Sequence, residues 1–310
     1  MSSHKLKGYV AFILAFGVLA ASTYAVNVIF NGLQGTDWAN ENNWSTGSVP
    51  GSADNAYIRN DLTAIVSSNV PTITKFIVGD NSQGTTGMMI VQENGSLIAT
   101  DVCEVGRRTS SGGNGTLSVT GGSLSVSRLL VGVGTETINA TGALSVSGGT
   151  LTTALDIMVG ADSTYLGSGS FTVSGSAATI SSMGSGNGLY IRETGTMRFE
   201  LDETGVSTIG ISNGYATFDN GSSVVIDGSA YTGSTITITL VEALGINDNG
   251  MDISYMGFSS DYSAIVSING TTGDLVLDVT LIPETGATSL LLGVGSLTML
   301  IIGLRKKKQG

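Results

Sequence analysis

Three segments of this chain recur at a constant spacing of 27 residues, and that register limits the fold more than any other feature. Gly115-Thr116-Leu117-Ser118-Val119-Thr120-Gly121-Gly122-Ser123-Leu124 is followed by Gly142-Ala143-Leu144-Ser145-Val146-Ser147-Gly148-Gly149-Thr150-Leu151, then by Gly169-Ser170-Phe171-Thr172-Val173-Ser174-Gly175. Leu117, Leu144 and Phe171 share one phase, and Val119, Val146 and Val173 share another. A second series, Val78-Gly79, Val105-Gly106, Val131-Gly132 and Val159-Gly160, runs in step at intervals of 27, 26 and 28. Each unit therefore holds at least two strands and two turns. Apolar residues alternate with Ser and Thr inside the strands, the period of a half-buried β-strand. The Gly-Gly pairs are expected to form tight turns that need positive φ.

A unit of about 27 residues with two or three short strands and no helical segment matches one coil of a parallel β-helix. The expected fold is all-β: a parallel β-helix, or β-solenoid, with about 27 residues per coil and a C-terminal transmembrane helix. Leu117, Leu144 and Phe171 would form one interior stack and Val119, Val146 and Val173 the next. The repeats are legible over residues 73–215, with Asn187-Gly188-Leu189-Tyr190-Ile191 and Gly195-Thr196-Met197-Arg198-Phe199 as a degenerate continuation. Residues 216–281 read as terminal coils and a β-rich cap. Residues 26–72 read as an N-terminal cap, because Trp38 and Trp44 both fall there and large amphipathic rings seal the open end of a solenoid. Stacking on sugar is the alternative reading of the two rings.

Both chain ends carry transport features. Lys5 and Lys7 precede the apolar stretch Tyr9 to Ala21, and small residues lead to Thr23-Tyr24-Ala25, so residues 1–25 read as a signal peptide cleaved after Ala25. Cleavage after Ser22 and an uncleaved N-terminal anchor are the alternatives. At the other end, Ala287 to Leu304 is 18 residues without charge, about 27 Å at ~1.5 Å per helical residue, enough for a bilayer core. Arg305, Lys306, Lys307 and Lys308 follow at once and would hold that end in the cytoplasm, with the body outside. The predicted location is export as a membrane-anchored precursor, then the cell surface or extracellular space.

Residues 26–282 contain seven Lys and Arg against 23 Asp and Glu, a formal net charge of −16. Such a body repels nucleic acid and anionic membrane surfaces. Cys103 is the one cysteine, so no intramolecular disulfide is available, and its alternating surroundings place it in a strand interior. The only histidine, His4, lies in the signal peptide, which removes Ser-His-Asp, Cys-His and His-zinc chemistry from the body.

One group of residues could support acid/base chemistry. Glu200 and Asp202 would share a strand face, with Glu203, Arg192 and Arg198 nearby. A solvated outer face explains the same spacing, and no catalytic residue, metal or cofactor is assigned. Asp248 between Asn247 and Asn249 lacks a complete calcium-loop pattern and reads as a turn. The six Asn-X-Ser/Thr sequons, at Asn43, Asn94, Asn114, Asn139, Asn220 and Asn269, follow from the composition.

The tail Pro283-Glu284-Thr285-Gly286, apolar span and basic end resembles the PEP-CTERM sorting signal, which is recognised by the membrane protease-transpeptidase exosortase. The body resembles the Gly/Ser/Thr-rich β-helical proteins that carry such tails in Gram-negative biofilm-forming bacteria, and the tryptophan segment resembles their opening. The family motif has a second proline where this chain has Thr285. Ile282 to Gly286 also resembles the Gram-positive sortase signal, with Ile282 in place of leucine. The resemblance implies residues 282–310 as a sorting signal, with the span at 287–304. The implied partners are signal peptidase, the Sec machinery, an exosortase-type enzyme and exopolysaccharide. It implies an exported structural surface or matrix protein that is not an enzyme. A polysaccharide-binding or polysaccharide-active β-helix, or a sortase-anchored wall protein, is the alternative.

Overall fold

The computed structural model describes residues 25–80, 86–106, 113–137 and 139–282. The chain starts with β1 (Asn27–Ile29), passes through a loop with one 3-10 turn at Glu41–Asn43, and completes a circuit at β2 (Asn55–Ile58). The next circuits hold β3 (Leu62–Val66) and β4 (Lys75–Val78), then β5 (Thr86–Val91) and β6 (Ser96–Val105). β7 (Asn114–Val131) traverses a whole circuit as one strand of 18 residues. β8 (Thr141–Thr153) with β9 (Ile157–Val159) makes the following one. After these come β10 (Ser168–Ser174), β11 (Ala178–Ser182) and β12 (Asn187–Ile191), then β13 (Gly195–Glu200), β14 (Ile209–Ile211) and β15 (Tyr215–Phe218). β16 (Ser223–Asp227), β17 (Ile236–Glu242) and β18 (Ile246–Asp248) form the last full circuit, β19 (Asp252–Met256) opens another, and β20 (Tyr262–Ile268) and β21 (Leu275–Leu281) finish the described body.

These strands stack in three columns, giving a β-solenoid of about eight turns. The first face is β3, β5, the starts of β7 and β8, then β10, β13, β16 and β19, every pair parallel. The second face joins the start of β6, the middle of β7, the end of β8, β11, β14 and the end of β17. The third joins β1, β2, β4, the ends of β6 and β7, β9, β12, β15 and β18.

Interior rows follow from this register. Met89, Leu117, Leu144, Phe171, Met197 and Val224 lie one above another on the first face, all buried. Val91, Val119, Val146, Val173, Phe199 and Ile226 form the neighbouring row. A fully buried Leu or Phe in such a row stabilises by about 1.5–3 kcal/mol relative to exposure. Cys103 is buried in the interior of the third face, where desolvation drives its thiol pKa far above the usual range.

Parallel pairing extends beyond the stretch in which the repeat can be read. Asn27 already pairs with Asn55, and Ser223 still pairs with Asp252, so residues 26–72 and 216–281 both contain solenoid coils. The repeat is hidden there because circuit length changes. Asn55 pairs with Lys75, 20 positions on, whereas Ile209 pairs with Val241, 32 positions on. Backbone hydrogen bonds require aligned strands, not equal loops. Both ends are covered: β21 lies antiparallel between β17 and β20, and Val266 N donates to Tyr255 Oη at 2.8 Å, joining this hairpin to the last coil.

The glycines divide into two roles. At the corner from third to first face, Gly79, Gly106, Gly132 and Gly160 all have positive φ. A Cβ on Gly132 would also lie 1.9 Å from Ser168 O, and one on Gly142 would lie 2.2 Å from Gly132 N, so successive coils close against each other through bare backbone. Of the two Gly-Gly pairs expected to supply positive φ, Gly148-Gly149 does so at Gly149 and Gly121-Gly122 does not; a Cβ on Gly122 would instead meet Gln92 O and Gly95 O at 2.4 Å. Close approach of the coil below, not turn geometry, excludes a side chain there.

Candidate functional site

The five residues singled out for acid/base chemistry fall into separate groups. β13 ends at Glu200, and Asp202 lies beyond it in a turn closed by a bridge to Gly205, so the two carboxylates do not share a strand face. Glu200 pairs with Arg198 at 2.8 Å and accepts from Ser174 Oγ at 2.7 Å. Arg198 also reaches Asp227 on the next coil. Arg192 is elsewhere, 3.0 Å from Asp162 and with its guanidinium over the Tyr190 ring. Glu203 is exposed.

Asp202 is a clasp between coils. Its Oδ1 accepts from Thr204 N, Thr204 Oγ1 and Gly205 N at 2.7, 2.7 and 2.9 Å. Its Oδ2 accepts from Ser176 N and Ser176 Oγ at 2.9 and 3.0 Å. Burial alone would raise its pKa, but the hydrogen bonds from Thr204 and Ser176 outweigh that and hold it at about 2. Asp227 is shifted in the same direction: burial opposes, while Ser229 hydrogen bonds and the Arg198 charge prevail. Both groups are anions near neutrality, the wrong protonation state for a general acid.

The tryptophans sit at the other end. Trp38 is 0% and Trp44 2% exposed, with ring centroids 4.7 Å apart in an edge-to-face arrangement, and Phe30 packs on Trp44 at 5.1 Å. Trp44 Nε1 donates to Trp38 O at 2.7 Å. Buried Asn43 ties the loop by donating to Asp37 O at 2.9 Å and accepting from Gln34 N at 2.6 Å. Neither ring has a free face, so the carbohydrate contact considered for Trp38 and Trp44 has no surface on which to occur. The rings plug the first coil.

Asp248 Oδ1 accepts from Gly250 N and Met251 N, both at 2.9 Å, which makes the Asn247-Asp248-Asn249 segment a side-chain-stabilised turn. Among the described residues, no three His, Cys, Asp or Glu side chains converge as a metal-binding group.

A hollow that carries no sequence signature lies on the second face. It has a volume of about 220 Å³ and is lined by Gly210, Ile211, Ser212, Glu242, Ala243 and Leu244. It exists because Gly210 stands in the outward row that continues from Ser125, Thr152 and Ser181 and puts no side chain there, while Glu242 follows on the next coil. Leu244 is 62% exposed at its rim, and Asp274 Oδ1 accepts from the nearby Ala243 N at 3.2 Å. The 32-residue step that joins these strands is why no local motif announces the hollow.

The sorting residues Pro283, Glu284, Thr285 and Gly286, the apolar run 287–304, the basic residues Arg305, Lys306, Lys307 and Lys308, and all but the last residue of the signal peptide lie outside the described residues. Among the described residues, no helix is long and apolar enough to cross a membrane. The body reaches the edge of that tail as ordered strand: β21 ends at Leu281, and Ile282 N donates to Asp261 O at 2.6 Å. No family model, no curated protein and no solved structure matches this chain.

Proposed function

We propose that this chain is an exported structural protein of the cell surface or extracellular matrix, associated with exopolysaccharide and processed by an exosortase-type enzyme at Pro283-Glu284-Thr285-Gly286. The observation that carries the reading is the junction at Ile282. The last described strand, β21, is followed in the sequence by a proline-led segment, an uncharged 18-residue run and four cations. In this reading the Sec machinery exports the chain, signal peptidase removes residues 1–25, and the run 287–304 holds the precursor in the membrane until processing. The acidic body serves as a rigid, catalytically silent spacer, consistent with the fixed ionisation of Asp202 and Asp227.

Intact mass of the mature protein tests the processing step. A C-terminus between Pro283 and Thr285 supports it, and recovery of Arg305 to Lys308 in the mature form overturns it. A C-terminus at Thr285 joined to cell-wall peptide would identify a sortase instead. The non-enzymatic role is tested by incubation with the producer's exopolysaccharide: cleavage abolished by Glu200→Gln or Asp202→Asn would overturn the structural reading. The hollow at Gly210 favours a second reading, polysaccharide binding by the coil surface.

A further inference from the structure

We propose that the hollow at Gly210 is a binding subsite for an uncharged glycan chain lying along the solenoid axis on the second face. Three features of the wall select that ligand. First, the charged group of the lining is an acceptor: Glu242 is exposed at the wall, and the only other polar side chain there is the Ser212 hydroxyl. A ligand must therefore bring donors, which sugar hydroxyls do. Second, Leu244 gives the rim an exposed aliphatic surface against which the C–H face of a pyranose ring can pack. Third, residues 199–282, which supply the hollow, contain eleven Asp and Glu and no Lys or Arg, so a uronate, sulfate or phosphate seated in it would meet repulsion.

The approach to the hollow has the shape of a track. Ser125, Thr152 and Ser181 occupy the same outward position on three successive coils immediately before Gly210, and Ser181 Oγ donates to Thr152 Oγ1 at 3.3 Å. At about 4.8 Å per coil, the distance from Ser125 to Gly210 is about 14 Å. A chain of several sugar units would lie over these hydroxyls and seat one ring in the hollow. The inference rests on the proposed function for the meeting of this protein with glycans outside the cell. The two fail separately, because tail mass and glycan titration share no readout.

Gly210 supplies a clean test. Its backbone is not in the positive-φ region, and a Cβ there would find only Ile180 O, at an ordinary 3.7 Å, so the backbone accepts a side chain at this position and Gly210→Tyr directs a ring at the hollow. Full-length protein in detergent micelles is titrated with hexamers of β-1,4-linked glucose, N-acetylglucosamine, glucosamine and galacturonate. An uncharged hexamer should bind with a Kd of about 1 mM, as suits an open site, with no change between low and high salt. Gly210→Tyr should weaken it at least tenfold while circular dichroism and Tm stay as in the parent, and Glu242→Gln should weaken it several-fold. The proposal is overturned if neither uncharged hexamer binds, if Gly210→Tyr binds as well as the parent, or if the only binding is to the glucosamine hexamer and disappears in salt.

Discussion

At the scale of single residues, this molecule depends on positions where a side chain is missing as much as on those where one is packed. Gly132→Ala combines a left-handed backbone with a Cβ driven against Ser168 O. The conformational term alone is about 1–2 kcal/mol, and the clash adds to it, so chemical denaturation should show a loss above that range. Leu144→Ala should cost about 2–5 kcal/mol through a cavity in the first-face row. Asp202→Ala tests the clasp by its pH dependence. The folded-state pKa lies below the unfolded value, so the stabilisation is present above about pH 4 and is lost as pH falls through about 2. The variant should therefore be less stable than the parent at pH 7, on the order of 1–2 kcal/mol, and the difference should fade below pH 2 in parallel denaturation curves.

At the scale of elements, the plug around Trp38 and Trp44 should behave as a unit that protects the first coil. Trp44→Ala removes the ring held between Phe30 and Trp38, at about 3–5 kcal/mol. Hydrogen exchange should then accelerate in β1 and β2 while β8 and β10 keep their protection. These elements also show what a sequence can disclose. The first-face strands of β7, β8 and β10 were readable because three consecutive circuits keep the same length, so Leu117, Leu144 and Phe171 fall in phase. β2, β4, β14 and β17 obey the same stacking rule, but steps of 20 and 32 residues remove the phase on which recognition depends. The Glu200 and Asp202 pair failed for a local reason: alternation was carried past Glu200, where the strand ends and the chain turns. The Gly210 hollow was illegible because it is made by an absent side chain and a partner strand set by a long loop.

At the scale of the whole molecule, each coil touches mainly the coil before and the coil after it, so stability should be close to a sum over neighbours. Deleting residues 142–168 removes 27 positions and joins Thr141 to Gly169, which already occupies the place of Gly142 on the next coil. The shortened protein should fold, retain a β-rich circular dichroism spectrum and melt cooperatively. Removing half as many residues from the same point should abolish the transition, because it would bring the third-face strand β9 to the place of a first-face one. The cap at the far end has a mechanical consequence. Any pull on the chain beyond Ile282 enters the body through β21, which is hydrogen-bonded on one edge to β17 and on the other to β20. Load is therefore shared between two hydrogen-bonded seams, one of them to β17 of the last full coil, so the strand next to the tail serves as the molecule's strain relief.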